Sequence, residues 1–278
     1  MGELRRLSEL ERRRYFHDGI VFPVRVLDDD ETRHFRAACD QLETRLGGRP
    51  RTVEVRQMHL HFPWAYQLAT HPRVLDAVED LLGPDLLVWA TELFAKHPGD
   101  EAVSIAWHQD RPYMGFEGGE TVSAWIALAD SVPANGCMRA VPGPGRHSPP
   151  RTIAADGANS SGRKRHGGVL QVDEQEAVDV VLRAGEMSLH DSDIVHGSGF
   201  NRSNQKRVGF VVRYVTPQAR PLEGRPPVVL ARGRDTAGHF RLAGRPSPSD
   251  TEEALAGMRA SATEHLEAML HNLKSAKH

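Results

Sequence analysis

His108-Gln109-Asp110 constrains this chain more than any other stretch. In an extended segment, a histidine and a carboxylate two residues apart project from the same face of a strand. A third candidate, His196, follows in Asp193-Ile194-Val195-His196-Gly197-Ser198-Gly199. Two histidines and one carboxylate form a facial triad. That donor set holds non-haem Fe(II) on one side and leaves the remaining positions open for substrate and O2. Arg207 stands eleven residues (207 − 196) beyond His196. A guanidinium there is suited to grip a carboxylate through two parallel N–H donors. Iron with such a clamp points to an oxygenase that uses 2-oxoglutarate as cosubstrate.

Composition admits that reading and excludes others. A chain of 278 residues can bury a sizeable core, and β-barrels of this size are commonly one domain, so residues 1–278 are expected to form a single unit. With 39% hydrophobic and 26% charged residues it has the balance of a soluble globular protein. A net charge of −2 favours neither nucleic acid nor an anionic membrane as partner. Cys39 and Cys137 are too few for a disulfide framework, which fits a reducing cytoplasm. The first residues hold no apolar signal core, and no run of 18 apolar residues marks a membrane span. The expected partner is a small-molecule substrate, and the expected assembly a monomer or small homo-oligomer.

Periodicity sets the fold class. Residues 8–17 read as a helix from Ser8, closed by Gly19, and Ile20 to Val26 as a strand. Asp28 to Leu46 carries Phe35, Cys39, Leu42 and Leu46 on one helical face, and Pro72 to Leu82 carries Val74, Leu75, Val78, Leu81 and Leu82. The pattern then turns to short β-like runs at 86–96, 122–128, 178–182, 187–190 and 208–215. Val122, Ala124, Ile126 and Leu128 alternate with Ser123, Trp125 and Ala127. The expectation is a mainly β protein with flanking helices around a jelly-roll, cupin-like core. Residues 249–274 read as a terminal helix with Ser249 and Glu252 as a capping box. Residues 143–172, rich in Gly, Pro and basic side chains, are read as either a solvated loop or a lid.

Rival readings exist for several residues. His190 competes with His196 as third ligand, but Arg207 and Ser198 keep register only with His196. Arg202 and Arg213 compete with Arg207; Arg202 lies in a turn, and Arg213 can share a strand face with Arg207. His59-Leu60-His61 resembles a metal pair, yet lacks the further ligands of a cupin site. Substrate contact by His59, His61, Gln57, Arg111 and Tyr113 is the alternative, and core packing competes for Tyr113 and Met114.

Trp107-His-Gln-Asp, Val122-Ser-Ala-Trp-Ile-Ala-Leu-Ala-Asp, Asn135-Gly-Cys-Met-Arg-Ala-Val-Pro-Gly and His196-Gly-Ser-Gly-Phe-Asn-Arg-Ser-Asn-Gln-Lys-Arg207 stand in this order. With Tyr15-Phe-His-Asp-Gly-Ile-Val-Phe-Pro-Val, they resemble the phytanoyl-CoA dioxygenase family of Fe(II)/2-oxoglutarate oxygenases over roughly residues 10–217. The resemblance implies a double-stranded β-helix. It implies His108, Asp110 and His196 as iron ligands and Arg207 as the partner of the distal carboxylate of 2-oxoglutarate. Ser198 would support that carboxylate, with Lys96, Gln109 and Trp125 around the cosubstrate. Related halogenases replace the carboxylate ligand with a small residue. Asp110 therefore favours hydroxylation, desaturation or oxidative cyclisation. The candidates His59, His61, Gln57, Arg111 and Tyr113 suggest a small polar substrate, and the Arg/Ala/Gly-rich composition with the family's bacterial members points to secondary-metabolite or antibiotic biosynthesis. The alternatives are a catabolic or osmolyte hydroxylase, or a binding protein with a vestigial site.

Overall fold

Local signals fix the helices. Ser8 caps Glu9–Asp18 and Glu11 reaches back to Ser8, a reciprocal box that satisfies two backbone donors. Gly19, at φ 73°, ends that helix in a left-handed conformation. Asp28 and Glu31 do the same at the head of Asp29–Arg45. Pro72 opens Pro72–Leu82, where a missing N–H costs nothing. Phe35, Cys39, Leu42, Val74, Leu75 and Val78 are all buried in one core cluster.

The computed structural model describes residues 5–99, 103–143, 153–154, 169–170, 172–247 and 251–275. Most of the expected 143–172 lid and the expected cap Ser249 lie outside the described residues. Seven strands form the larger sheet. Their order is Ile20–Arg25, Glu186–His190, Thr121–Ala127, Arg207–Val215, Leu86–Lys96, Pro227–Arg232 and Arg241–Leu242. Ile105–His108, Val195–Ser198, Met138–Val141 and Val178–Val180 form the smaller, four-stranded sheet. Together they make the double-stranded β-helix core.

Strand alternation divides the larger sheet into two environments. Val208, Phe210, Val212 and Tyr214 join the core cluster shared with the helices. Arg207, Val211 and Arg213, from the same strand, line a cavity on the opposite face. Thr121–Ala127 repeats the split, with Val122, Ala124 and Ile126 on the helix side and Trp125 on the cavity side.

The helix Glu252–Ser275 packs across this framework. Leu255 and Met258 enter the core. Gly257 permits the close approach, because a Cβ there would stand 2.7 Å from His61 Nδ1. Pro63 is the first residue of the helix Pro63–Ala69. The four-residue strands Ile105–His108, Met138–Val141 and Val195–Ser198 were too short to signal themselves by alternation. Among the described residues no helix is long and apolar enough to cross a membrane.

Candidate metal centre

Ile105–His108 pairs antiparallel with Val195–Ser198, and the register sets His108 opposite His196. Their rings lie 4.2 Å apart between centroids. Asp110 was expected in the same strand as His108. The strand ends at His108 instead, and Asp110, at φ −76° and ψ −33°, leads into the short helix Arg111–Met114. This turn still brings the carboxylate to the ring, with Oδ1 3.6 Å from His108 Nε2. One donor atom from each of His108, Asp110 and His196 lies within 4.8 Å of the others, so the three fit a metal ion.

Hydrogen bonds set the tautomers. His108 Nδ1 lies 2.8 Å from the Ala106 carbonyl and His196 Nδ1 lies 3.1 Å from that of Ile194. A carbonyl only accepts, so each Nδ1 carries the proton and each Nε2 keeps its lone pair for a metal. Burial and the nearby His108 push His196 well below the usual histidine range, so its ring stays neutral.

Asp110 is held by charge. Ser123 Oγ donates to Oδ2 at 3.2 Å, and Arg213 reaches both carboxylate oxygens at 3.3 and 3.4 Å. Burial alone would raise this carboxyl, but the Arg213 guanidinium outweighs it and holds it well below its ordinary value. Arg213 also donates to Glu92 at 2.8 Å, and Glu92 lies 3.0 Å from Arg56 Nε. Four alternating charges thus run inward from the candidate ligand. Arg213, a rival for the carboxylate clamp in the sequence, is engaged by Asp110 and Glu92.

Arg207 is different. It is 2% exposed, and its Nη1 donates to the Gly136 carbonyl at 2.6 Å. Its guanidinium lies 5.3 Å from the Trp125 ring centroid, and its Nε has no hydrogen-bond partner. Among the described residues no carboxylate forms a salt bridge with it. Burial lowers its pKa to about 10, so it remains a cation at neutral pH. Lys96 is its cross-strand neighbour and donates to Ser198 Oγ at 2.6 Å and to the carbonyls of Gly136 and Gly199. Arg207, Ser198 and Trp125 line the same cavity of about 50 Å³ as the three candidate ligands.

Gly209 makes room for Trp125, since a Cβ would lie 2.0 Å from Trp125 Cζ2. Gly209→Ala is therefore expected to lower stability by about 1–3 kcal/mol through overpacking, read as a fall in Tm. A Tm equal to wild type would show that the ring moves aside freely.

The remaining expected site residues scatter. Gln109 turns away, donating to the Asp193 carbonyl. Arg111 Nε reaches both Asp193 oxygens at 2.7 Å and is partly exposed. Tyr113 packs edge-on to His108, with centroids 6.3 Å apart. His59 does not reach the cavity: it is fully buried, its Nδ1 is 3.1 Å from Thr91 Oγ1, and burial drives its pKa to about 3. His61 faces a separate cavity beneath the C-terminal helix. Arg202 is exposed, as its turn implied.

Two further residues contribute to the site. His190, the rival third ligand in the sequence, is buried, lines the cavity and lies 3.9 Å from Asp110 Oδ2. Register aligns it with Ser123, and Ser123 with Arg213, in one row across three strands. Glu92 had one available signal, an acid in the middle of the apolar run 86–96.

Two antiparallel sheets carrying this donor set define the cupin-like 2-oxoglutarate oxygenase fold. The model of the phytanoyl-CoA dioxygenase (PhyH) family matches residues 15–209, and the chain belongs to that family. It is 33% identical to the non-heme monooxygenase ThoJ in its apo form, with a TM-score of 0.77 over 95% of this chain and 99% of that one. It is 26% identical to SnoN, a non-heme alpha ketoglutarate dependent epimerase from nogalamycin biosynthesis, with a TM-score of 0.63 over 87% and 95%. Dioxygenase lolE1 of Epichloe uncinata is 26% identical over 53% of each chain. The chain spans about half the length of the first curated relatives it matches.

Proposed function

We propose that this chain is an Fe(II)- and 2-oxoglutarate-dependent oxygenase that uses O2 to oxidise a small molecule in secondary metabolism. The observation that carries the reading is Arg207, a buried cation with no carboxylate partner among the described residues, in the same cavity as two histidines and a carboxylate. An unpaired buried charge is costly, so the site is built for an anionic ligand beside a metal.

In this reading His108, Asp110 and His196 hold the iron, which with 2-oxoglutarate supplies oxygen activation. Arg207 binds the distal carboxylate through two N–H donors. Ser198 accepts from Lys96 and so keeps its own O–H to donate to the same carboxylate. Trp125 walls one side and restricts water. Ser123 and Arg213 orient Asp110. Its presence as a ligand leaves no room for a halide in its place and favours hydroxylation, desaturation or ring closure.

The ligand set and Arg207 are all intact, which argues against a vestigial binding protein. The resemblance to SnoN supports natural-product tailoring. A polar substrate was expected from His59, His61, Gln57, Arg111 and Tyr113; none of these lines the metal cavity, Tyr113 alone packs against a candidate ligand, and that preference is not retained.

Without oxygen, the protein mixed with Fe(II) and 2-oxoglutarate is expected to develop a weak visible charge-transfer band. His108→Ala is expected to abolish it. Iron affinity unchanged in that variant would remove His108 from the site.

A further inference from the structure

A second cavity, of about 650 Å³, opens beneath the C-terminal helix. It shares no lining residue with the metal cavity. Its walls come partly from residues 15–209, among them Gln57 and Trp89, and partly from residues beyond them, among them His265. Its volume falls within the range of about 300–1,000 Å³ usual for organic ligands.

The lining combines buried apolar side chains with exposed charged ones, and His61 and Ser261, 2.9 Å apart, add a half-buried polar pair. Trp89 and Met114 are buried, and Leu60, Phe116 and Met269 continue the apolar surface. Glu223, Glu264, Arg225 and Arg241 are exposed at the mouth, two of each sign, so no net charge selects a ligand there.

Two buried polar side chains interrupt the apolar wall. Gln57 is 3% exposed and His265 is 8% exposed. They meet each other through Gln57 Nε2 and His265 Nδ1 at 3.1 Å, across 208 residues of sequence. The other polar atom of each, Gln57 Oε1 and His265 Nε2, is buried without a partner. His265 packs against Trp89 with centroids 5.0 Å apart, and burial drives its pKa down to about 3, so the ring is neutral.

A neutral imidazole has one N–H and one bare nitrogen. If the Gln57 amide donates to Nδ1, then Nε2–H is left as a donor and Oε1 as an acceptor. Exchanging the amide's ends and the ring's tautomer together swaps the two roles and leaves the pair. Either way these two lining residues keep one unmet donor and one unmet acceptor between them. Two unmet polar groups in an apolar cavity are costly unless something meets them. A carboxylate would oppose the acceptor and an ammonium the donor.

We propose that this cavity binds a neutral, largely apolar organic molecule whose polar group donates and accepts at once: a lactam, an amide or a hydroxyl. The apolar body lies against Trp89, Met114 and Phe116, and the polar edge meets Gln57 and His265.

The test is a calorimetric titration of 2-quinolinone into the metal-free full chain. This probe is an aromatic lactam with N–H and C=O on one edge. N-methyl-2-quinolinone keeps the body and the carbonyl and lacks the N–H. The parent is expected to bind saturably, one per chain, and at least tenfold more tightly than its N-methyl derivative. His265→Phe keeps a ring on Trp89 and removes both nitrogens, and it is expected to reduce parent binding to the level of the derivative. Equal affinity of the two probes, no saturable binding of either, or a folded His265→Phe variant that binds as wild type would each overturn the proposal. If His265→Phe fails to fold, the comparison of the two probes on the wild-type chain decides it alone. No metal or 2-oxoglutarate is present, so failure here is distinct from failure of the oxygenase reading.

Discussion

Arg207→Ala is expected to raise the 2-oxoglutarate concentration needed for half-maximal succinate release by roughly 30- to 1000-fold. A charge-assisted, two-pronged bond in a dry cavity contributes about 2–4 kcal/mol, at about 1.4 kcal/mol per tenfold change. The side chain is in place before any ligand arrives. The Gly136 carbonyl and the Trp125 ring hold it, and Lys96 occupies the opposing strand position. Iron affinity is expected to stay near wild type, because His108, Asp110 and His196 do not depend on Arg207. Arg207→Lys is expected to recover only part of the loss, since a point charge cannot reproduce the fork. Arg202→Ala, at an exposed turn, is expected to change little. A larger effect from Arg202 than from Arg207 would sink the assignment.

Arg213→Met is expected to destabilise the metal-free protein by about 3–5 kcal/mol, the cost of leaving a buried charge uncompensated. Arg213 bridges Asp110 and Glu92, both almost fully buried. Met fills much of the same volume without the charge. Acid should shrink the difference. Glu92 is held at about 2 against an ordinary 4.5: burial alone would raise it, but Arg213 and Arg56 more than offset that. Its contribution in wild type is therefore complete above the ordinary value and lost as pH falls through the window down to about 2. In the variant Glu92 keeps Arg56 and loses Arg213, its pKa rises, and its protonation, which relieves the uncompensated charge, comes at higher pH than in wild type. Urea unfolding midpoints measured from neutral pH downward would show the gap narrowing. A gap that widens, or a variant as stable as wild type, would mean that the buried charges are compensated some other way.

Local chemistry was legible in the residues. Two helix starts were legible at Ser8 and Asp28, because a cap acts within four residues of chain; the structure adds the reciprocal bonds from Glu11 and Glu31. Leu86–Lys96 declared itself by a β-like run rich in Leu, Val, Trp and Phe, and its bounds are those the sequence implied. The order and spacing of His108, Asp110, His196 and Arg207 pointed to a candidate donor set and clamp, and the fold brings the three candidate ligands together. What the sequence could not carry is what depends on which strands become neighbours. Asp110 reaches His108 from a turn and not from the expected strand, because Pro112 and the residues around it close a short helix there. Arg213 proved to belong to Asp110 and Glu92 only once two strand pairings had aligned it with Ser123 and set its strand beside Glu92. His59 and His61, two residues apart, were parted: one was sealed against Thr91 and the other turned to a different cavity. Gln57 and His265 met across most of the chain. Caps and periodicity are encoded within a few residues. Burial and charge pairing are properties of the assembled sheets, and only the tertiary structure decides them.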